Sequence, residues 1–138
     1  MSSPSDRRSH ILVVDDDPAV LDATRLLLML AGYYVNTAPS FAQAIDKANR
    51  HRDIDLLDID LLITDLHIGS DQGTDLIRSV RAIVGNQLKA VVATADIGVS
   101  EGQIESDNGI RLVRKPLRAE ELLGLIEELL GAEPVKSV

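Results

Sequence analysis

Cysteine is absent from the 138-residue chain, which excludes disulfide frameworks, thiolate zinc sites and cysteine nucleophiles and suits a reducing, cytoplasmic setting. Aromatic side chains are nearly missing too. With no tryptophan and only Tyr33, Tyr34 and Phe41, the chain lacks the stacking platforms on which single-stranded bases are read. Positive charge is in short supply, 14 basic against 22 acidic residues for a formal charge of −8, and that balance opposes DNA or an anionic membrane surface as a partner. Long hydrophobic runs are lacking as well: Leu26 to Ala31 falls far below the roughly 18 residues of a membrane span. The polar stretch Met1 to Arg8 has no apolar h-region and reads as a loose lead rather than a signal peptide. Neither direct nucleic-acid binding nor membrane insertion is expected.

What is present is enough apolar content, 45%, for the core of one domain. The expected organisation is a lead over residues 1–9, a folded body over 10–131 and a tail over 132–138. Within the body, short β-branched runs alternate with helical patterns, the signature of βα units around a parallel sheet. His10 to Val14 lacks polar alternation, as a strand covered on both faces should. It stops at Asp15-Asp16-Asp17-Pro18, where Pro18 suits the first helical position and Asp17 can cap it. Val20, Thr24, Leu27 and Ala31 recur at helical spacing, and Gly32 is a good terminator. A second strand is expected over Tyr34 to Ala38, and a helix capped by Ser40 from about Phe41 to Arg50. The pentapeptide DIDLL then occurs twice, at Asp53 to Leu57 and Asp58 to Leu62, too short a unit for a repeat architecture. The second copy should lead into a third strand ending at Asp65, and the first should lengthen the preceding helix or loop. After a Gly-rich polar loop, Leu66 to Gly73, come a helix over Thr74 to Val84 and a strand over Lys89 to Thr94. The apolar-poor stretch Asp96 to Gly109 predicts a short or mobile helix. A strand over Arg111 to Arg114 and a helix over about Ala119 to Leu130 complete five βα units.

Open parallel sheets gather functional groups beyond the carboxyl ends of their strands. Here four such ends carry Asp15 with Asp16, Asp65, Thr94 and Lys115. Each alone has a plain explanation: aspartates make turns and caps, and a lysine is usually a solvated charge. One cap needs one carboxylate, however, and Asp17 supplies it, so Asp15 and Asp16 are left over. Crowded carboxylates repel and need positive charge to stay ionised. Mg²⁺ favours all-oxygen sites with carboxylates, waters and a phosphate. A lysine point charge and a threonine hydroxyl opposite the acids would suit phosphoryl oxygens. Such a site can transfer a phosphoryl group onto a carboxylate.

On the motifs Ile11-Leu12-Val13-Val14-Asp15-Asp16-Asp17-Pro18, Ile63-Thr64-Asp65-Leu66 with Gly73 following, Val91-Val92-Ala93-Thr94-Ala95 and Val113-Arg114-Lys115-Pro116, the chain resembles a response-regulator receiver domain from about Ile11 to Leu130. The resemblance implies a flavodoxin-like doubly wound α/β fold, with five parallel strands in the order 2-1-3-4-5 and about five helices. It implies that Asp65 is the phosphorylated residue, with Thr94 and Lys115 contacting the phosphoryl group. Mg²⁺ would be held by Asp16, Asp65 and the His67 backbone carbonyl, with Asp15 assisting through water. It also implies a cis bond before Pro116 and a sensor histidine kinase or histidine phosphotransfer domain as partner. On that pattern the protein would catalyse only its own phosphorylation and dephosphorylation.

The chain departs from the family pattern in places. Gly69 stands where a proline is usual, so the loop after Asp65 is expected to be looser. Leu112 replaces the aromatic switch residue three before the lysine, and Leu117 another common aromatic. His67 and Asp96 occupy the positions of rate-tuning side chains and are expected to set the lifetime of the phosphoaspartate. Leu26 to Leu30 is apolar around most of its helix, wider than one buried stripe needs, which suggests a docking patch for a phosphotransfer partner. Few residues follow Leu130, and a receiver belonging to a longer protein such as a hybrid histidine kinase is the favoured expectation over a free-standing one. Two rival readings remain. Leu56-Leu57-Asp58-Ile59-Asp60 has the look of a haloacid-dehalogenase-type phosphatase, and a degenerate receiver could serve as a binding module alone.

Overall fold

A computed structural model of the chain describes residues 8–53, 59–105 and 109–131. The main sheet is formed by β1 (His10–Val14), β2 (Tyr34–Ala38), β3 (Leu61–Asp65), β4 (Lys89–Thr94) and β5 (Ile110–Arg114). All its pairings are parallel, in the order β2-β1-β3-β4-β5. This is the doubly wound, flavodoxin-like order, whose switch point lies between β1 and β3. The helices are α1 (Pro18–Leu30), α2 (Phe41–Asp53), α3 (Gly73–Val84), α4 (Glu101–Ile104) and α5 (Ala119–Leu130).

The period of two along each strand divides the core into two layers. Ile11 and Val13, Leu61 and Ile63, Val91 and Ala93, and Val113 turn toward Leu28, Leu122 and Ile126 on one face. Leu12 and Val14, Leu62, Ala90 and Val92 turn toward Ala44, Ala48, Leu76, Ile77 and Val80 on the other. Because both faces are covered, β1 reads as an unbroken apolar run. Asp17 caps α1 as expected, its carboxylate accepting the N–H groups of Ala19 and Val20 at 3.0 and 3.4 Å.

Several expectations need adjusting. The buried face of α1 centres on Thr24 and Leu28, while Ala31 is an exposed C-cap. Helix α2 reaches Asp53, beyond the expected Arg50, so the first DIDLL copy begins as helix; its residues 54–57 lie outside the described residues. Of the second copy only Leu61 and Leu62 join β3. Asp60 instead accepts the His10 N–H at 2.8 Å, at the amino-terminal ends of β1 and β3. Helix α4 is a single short turn, as the apolar-poor segment predicted. Residues 1–7 of the expected lead and the whole tail fall outside the described residues.

Candidate functional site

The carboxyl ends of β1, β3, β4 and β5 bring together the residues singled out in the sequence. The ammonium Nζ of Lys115 lies 3.0 Å from Asp15 Oδ2 and 3.0 Å from Asp65 Oδ2. Asp15, Asp16 and Asp65 each offer an oxygen within 4.8 Å of the others. Three carboxylates and one ammonium leave an excess of negative charge at this end of the sheet, and an oxygen-only donor set of this kind suits a hard divalent cation. Asp15 is buried and Asp16 exposed, so the cluster grades from protein to solvent. Burial alone would lower the proton affinity of Lys115, but the hydrogen bonds to Asp65 and Asp15, with their charges, outweigh it and raise its pKa above the ordinary lysine value.

Local backbone bonds hold each acid. The Asp17 N–H donates to Asp15 Oδ1 at 2.9 Å, and the Gly69 N–H donates to Asp16 Oδ2 at 3.0 Å. The loop after Asp65, for which the missing proline led to the expectation of a looser path, is thus hydrogen-bonded to Asp16. A proline at position 69 would have no N–H to give, whereas Gly69 takes a positive φ of 60° at little steric cost. Around it His67–Ile68 and Asp71–Gln72 pair as a small antiparallel hairpin. Gly73 begins α3 so close to the Asp65 carbonyl that an added Cβ would overlap that oxygen, and its N–H donates to Leu66 O at 2.7 Å. The buried Thr64 hydroxyl donates to the same Asp65 carbonyl at 2.9 Å.

Thr94 is buried at the end of β4, and its hydroxyl oxygen accepts the Asp96 N–H at 2.9 Å. The Lys115 N–H donates to Thr94 O at 2.9 Å, and the Lys115–Pro116 bond is cis, as the resemblance implied. His67 Nε2 and Asp96 Oδ2 stand 3.9 Å apart, both side chains about half exposed, so these two side chains approach each other across the loops that follow β3 and β4. Sequence reasoning missed Arg114, whose guanidinium reaches the carbonyls of Asp96 and Val99 at 2.9 and 2.6 Å. Arg114 lies within the motif Val113-Arg114-Lys115-Pro116, but there the neighbouring lysine drew the functional reading and a strand-end arginine reads as a solvated charge. Of the phosphatase pattern, Leu56 to Asp58 lie outside the described residues, and Asp60 sits at the opposite edge of the sheet from Asp65.

The model of the response regulator receiver domain family matches residues 11–127. Among curated proteins, the two-component response regulator PprB of Pseudomonas aeruginosa is 31% identical over 136 residues, covering 94% of this chain and 46% of that protein. The response regulator MprA of Mycobacterium leprae is 35% identical over 122 residues, covering 88% and 50%. The chain thus spans half or less of the length of these relatives. Among solved structures, a CheY-like response regulator receiver domain protein from Methanospirillum hungatei superposes with a TM-score of 0.75 at 27% identity, covering 91% of this chain and 95% of that one.

Proposed function

The chain belongs to the response regulator receiver domain family, and from that membership and the site geometry we propose that Asp65 accepts a phosphoryl group from phosphohistidine in a Mg²⁺-dependent step. The observation that carries the proposal is the Lys115 ammonium held 3.0 Å from both Asp65 and Asp15, at the sheet edge where Thr94 also ends its strand. Lys115 takes one Asp65 oxygen, and among the described residues Oδ1 makes no protein hydrogen bond. That oxygen attacks phosphorus in line; its new O–P bond forms as the N–P bond of phosphohistidine breaks, and the imidazole leaves with the bonding pair. Lys115 and the Thr94 hydroxyl offer hydrogen-bond donors to the phosphoryl oxygens. Asp16, Asp65 and the His67 backbone carbonyl would hold Mg²⁺, with Asp15 assisting through water; the ion would offset carboxylate repulsion and developing phosphoryl charge. His67 and Asp96 flank the loops on either side and would tune hydrolysis of the phosphoaspartate. The body over residues 10–131 would act as one receiver in a cytoplasmic phosphorelay, catalysing only its own phosphorylation and dephosphorylation.

The partner would be a sensor histidine kinase or a histidine phosphotransfer domain. Supporting this, Leu26, Met29 and Leu30 of α1 are 53%, 47% and 80% exposed at i, i+3 and i+4 spacing. Beside them an apolar groove formed by Val20, Ala23 and Leu27 with Pro116 and Leu117 runs up to Lys115. Since the curated relatives are longer response regulators, a receiver within such a regulator is favoured over one from a hybrid kinase.

The test is incubation with acetyl phosphate, with Mg²⁺ or with a chelator, read by intact mass. One phosphoryl adduct is expected with Mg²⁺, lost in Asp65→Asn and kept in Asp58→Asn. Turnover of a phosphate ester lost only in Asp58→Asn would favour the phosphatase, and no adduct under any condition the degenerate receiver.

A further inference from the structure

A change at Asp65 has to leave the site through protein, and Leu112, buried in β5, has no polar side-chain group with which to transmit it. Two other side chains span the same region. Arg114, the last residue of β5, donates from Nη1 to Asp96 O at 2.9 Å and from Nη2 to Val99 O at 2.6 Å. One planar guanidinium thus holds both ends of the loop that joins β4 to α4. Glu105, just beyond α4, accepts the Leu112 N–H at 2.7 Å through Oε2. Because the Lys115 N–H points toward β4, at Thr94 O, the alternation of the strand sends the Leu112 N–H the other way, to the open edge of the sheet. An edge N–H would otherwise be free for water or a foreign strand. Here a carboxylate from the α4 end covers it. The start of the same loop is tied to the site, since the Asp96 N–H donates to Thr94 Oγ1 at 2.9 Å and the Gly98 N–H to Asp96 Oδ1 at 2.8 Å.

We propose that Arg114 and Glu105 form a strap that carries the phosphorylation state of Asp65 to the outer edge of β5, an inference that rests on the reading of Thr94 as a phosphoryl contact. When the Thr94 hydroxyl turns its proton toward a phosphoryl oxygen, its lone pairs turn with it. The Asp96 N–H must then follow them or lose its acceptor, and a lost acceptor is costly for a part-buried donor. Since Arg114 clamps Asp96 O and Val99 O together, the loop moves as a unit. The displacement passes through the single turn of α4 to Glu105, which withdraws from the Leu112 N–H. Arg114 is thus a positioning residue that acts through the loop backbone. By linkage the coupling is reciprocal: whatever the phosphoryl group does to the strap, the strap does to the phosphorylated state.

The test is residue-resolved amide exchange on the full chain with Mg²⁺, with and without beryllofluoride as phosphoryl mimic, bound fluoride being followed by its own ¹⁹F signal. In the native chain, binding should speed exchange at Leu112 by about tenfold or more, as expected when a local protecting bond opens, and alter exchange at Asp96. Arg114→Met should keep the bound ¹⁹F signal and the Asp96 response while Leu112 no longer responds. Arg114→Lys, with one carbonyl still within reach, should restore part of it. Glu105→Ala should leave Leu112 exchanging fast in both states. The strap is overturned by bound fluoride with no change at Leu112, by an Arg114→Met response equal to the native one, or by a Leu112 amide that stays slow in Glu105→Ala. A native chain showing no bound fluoride overturns the reading of Asp65, and the strap with it.

Discussion

Lys115 has its two acidic partners within one cluster, and its loss should separate two effects that usually travel together. In Lys115→Met the buried Asp15 carboxylate keeps, among the described residues, only the Asp17 N–H as protein partner, so stability without divalent ions should fall by about 1–3 kcal/mol, checked by urea denaturation. Removing the ammonium also removes a charge that repels cations. Mg²⁺ should therefore bind the variant more tightly even as its phosphorylation by acetyl phosphate slows. The sign of the pH dependence follows from the raised Lys115 pKa. Its pairing stabilises the fold fully below the ordinary lysine value, about 10.4, and is lost as pH rises through the higher folded value. Tyr33 acts in the same direction: burial first, then the charge of Glu127, raises its phenol, so ionisation in the unfolded chain from about pH 10 favours unfolding. Tyr33→Phe should flatten part of that alkaline loss. For His67 and Asp96, 3.9 Å apart, the phosphoaspartate lifetime should change in His67→Ala or Asp96→Ala; unchanged decay in both would remove them from the account.

Among the elements, α1 carries both a local and a partner-facing claim. Asp17→Ala removes the cap bonds to Ala19 and Val20 and should cost about 1 kcal/mol of stability, seen as a lower denaturation midpoint with the phosphoryl adduct retained. Met29→Glu, on the exposed row, should slow phosphotransfer from a histidine phosphotransfer domain while leaving acetyl phosphate labelling unchanged. Equal transfer rates would argue against α1 as the docking face. The five strands were legible as short apolar, β-branched runs set between helical patterns, and the long helices because a period of 3.6 persists over enough residues to be recognised. Helix α4 was legible by its poverty of apolar residues. The hairpin of His67–Ile68 with Asp71–Gln72 was not, because two-residue ladders carry no period, and the tie from Gly69 to Asp16 is a backbone bond that residue identity does not encode. In α1 the spacing of Val20, Thr24, Leu27 and Ala31 included the buried Thr24 but not Leu28, because leucines on nearly every side leave the periodicity without a clear direction.

On the scale of the whole molecule, the site was more legible than its connections. Parallel topology delivers the ends of four strands to one edge, so Asp15, Asp65, Thr94 and Lys115 could be brought together from sequence order alone. The strap through Arg114 and Glu105 depends on side-chain reach across a loop, which no spacing rule predicts. The acidic excess implies a further global property: Mg²⁺ should raise the stability of the native fold by mass action, by about 2.7 kcal/mol at a hundredfold excess over Kd, and Asp16→Asn should blunt that rise. The most direct measurement of the central claim identifies the phosphorylated residue itself. Acyl phosphate formed with acetyl phosphate and Mg²⁺ is reduced with borohydride, which converts the labelled aspartate to homoserine, and the chain is then sequenced by tandem mass spectrometry. Homoserine is expected at position 65 alone; homoserine at position 15 or 16, or at no position, would mean that Asp65 is not the phosphoryl acceptor.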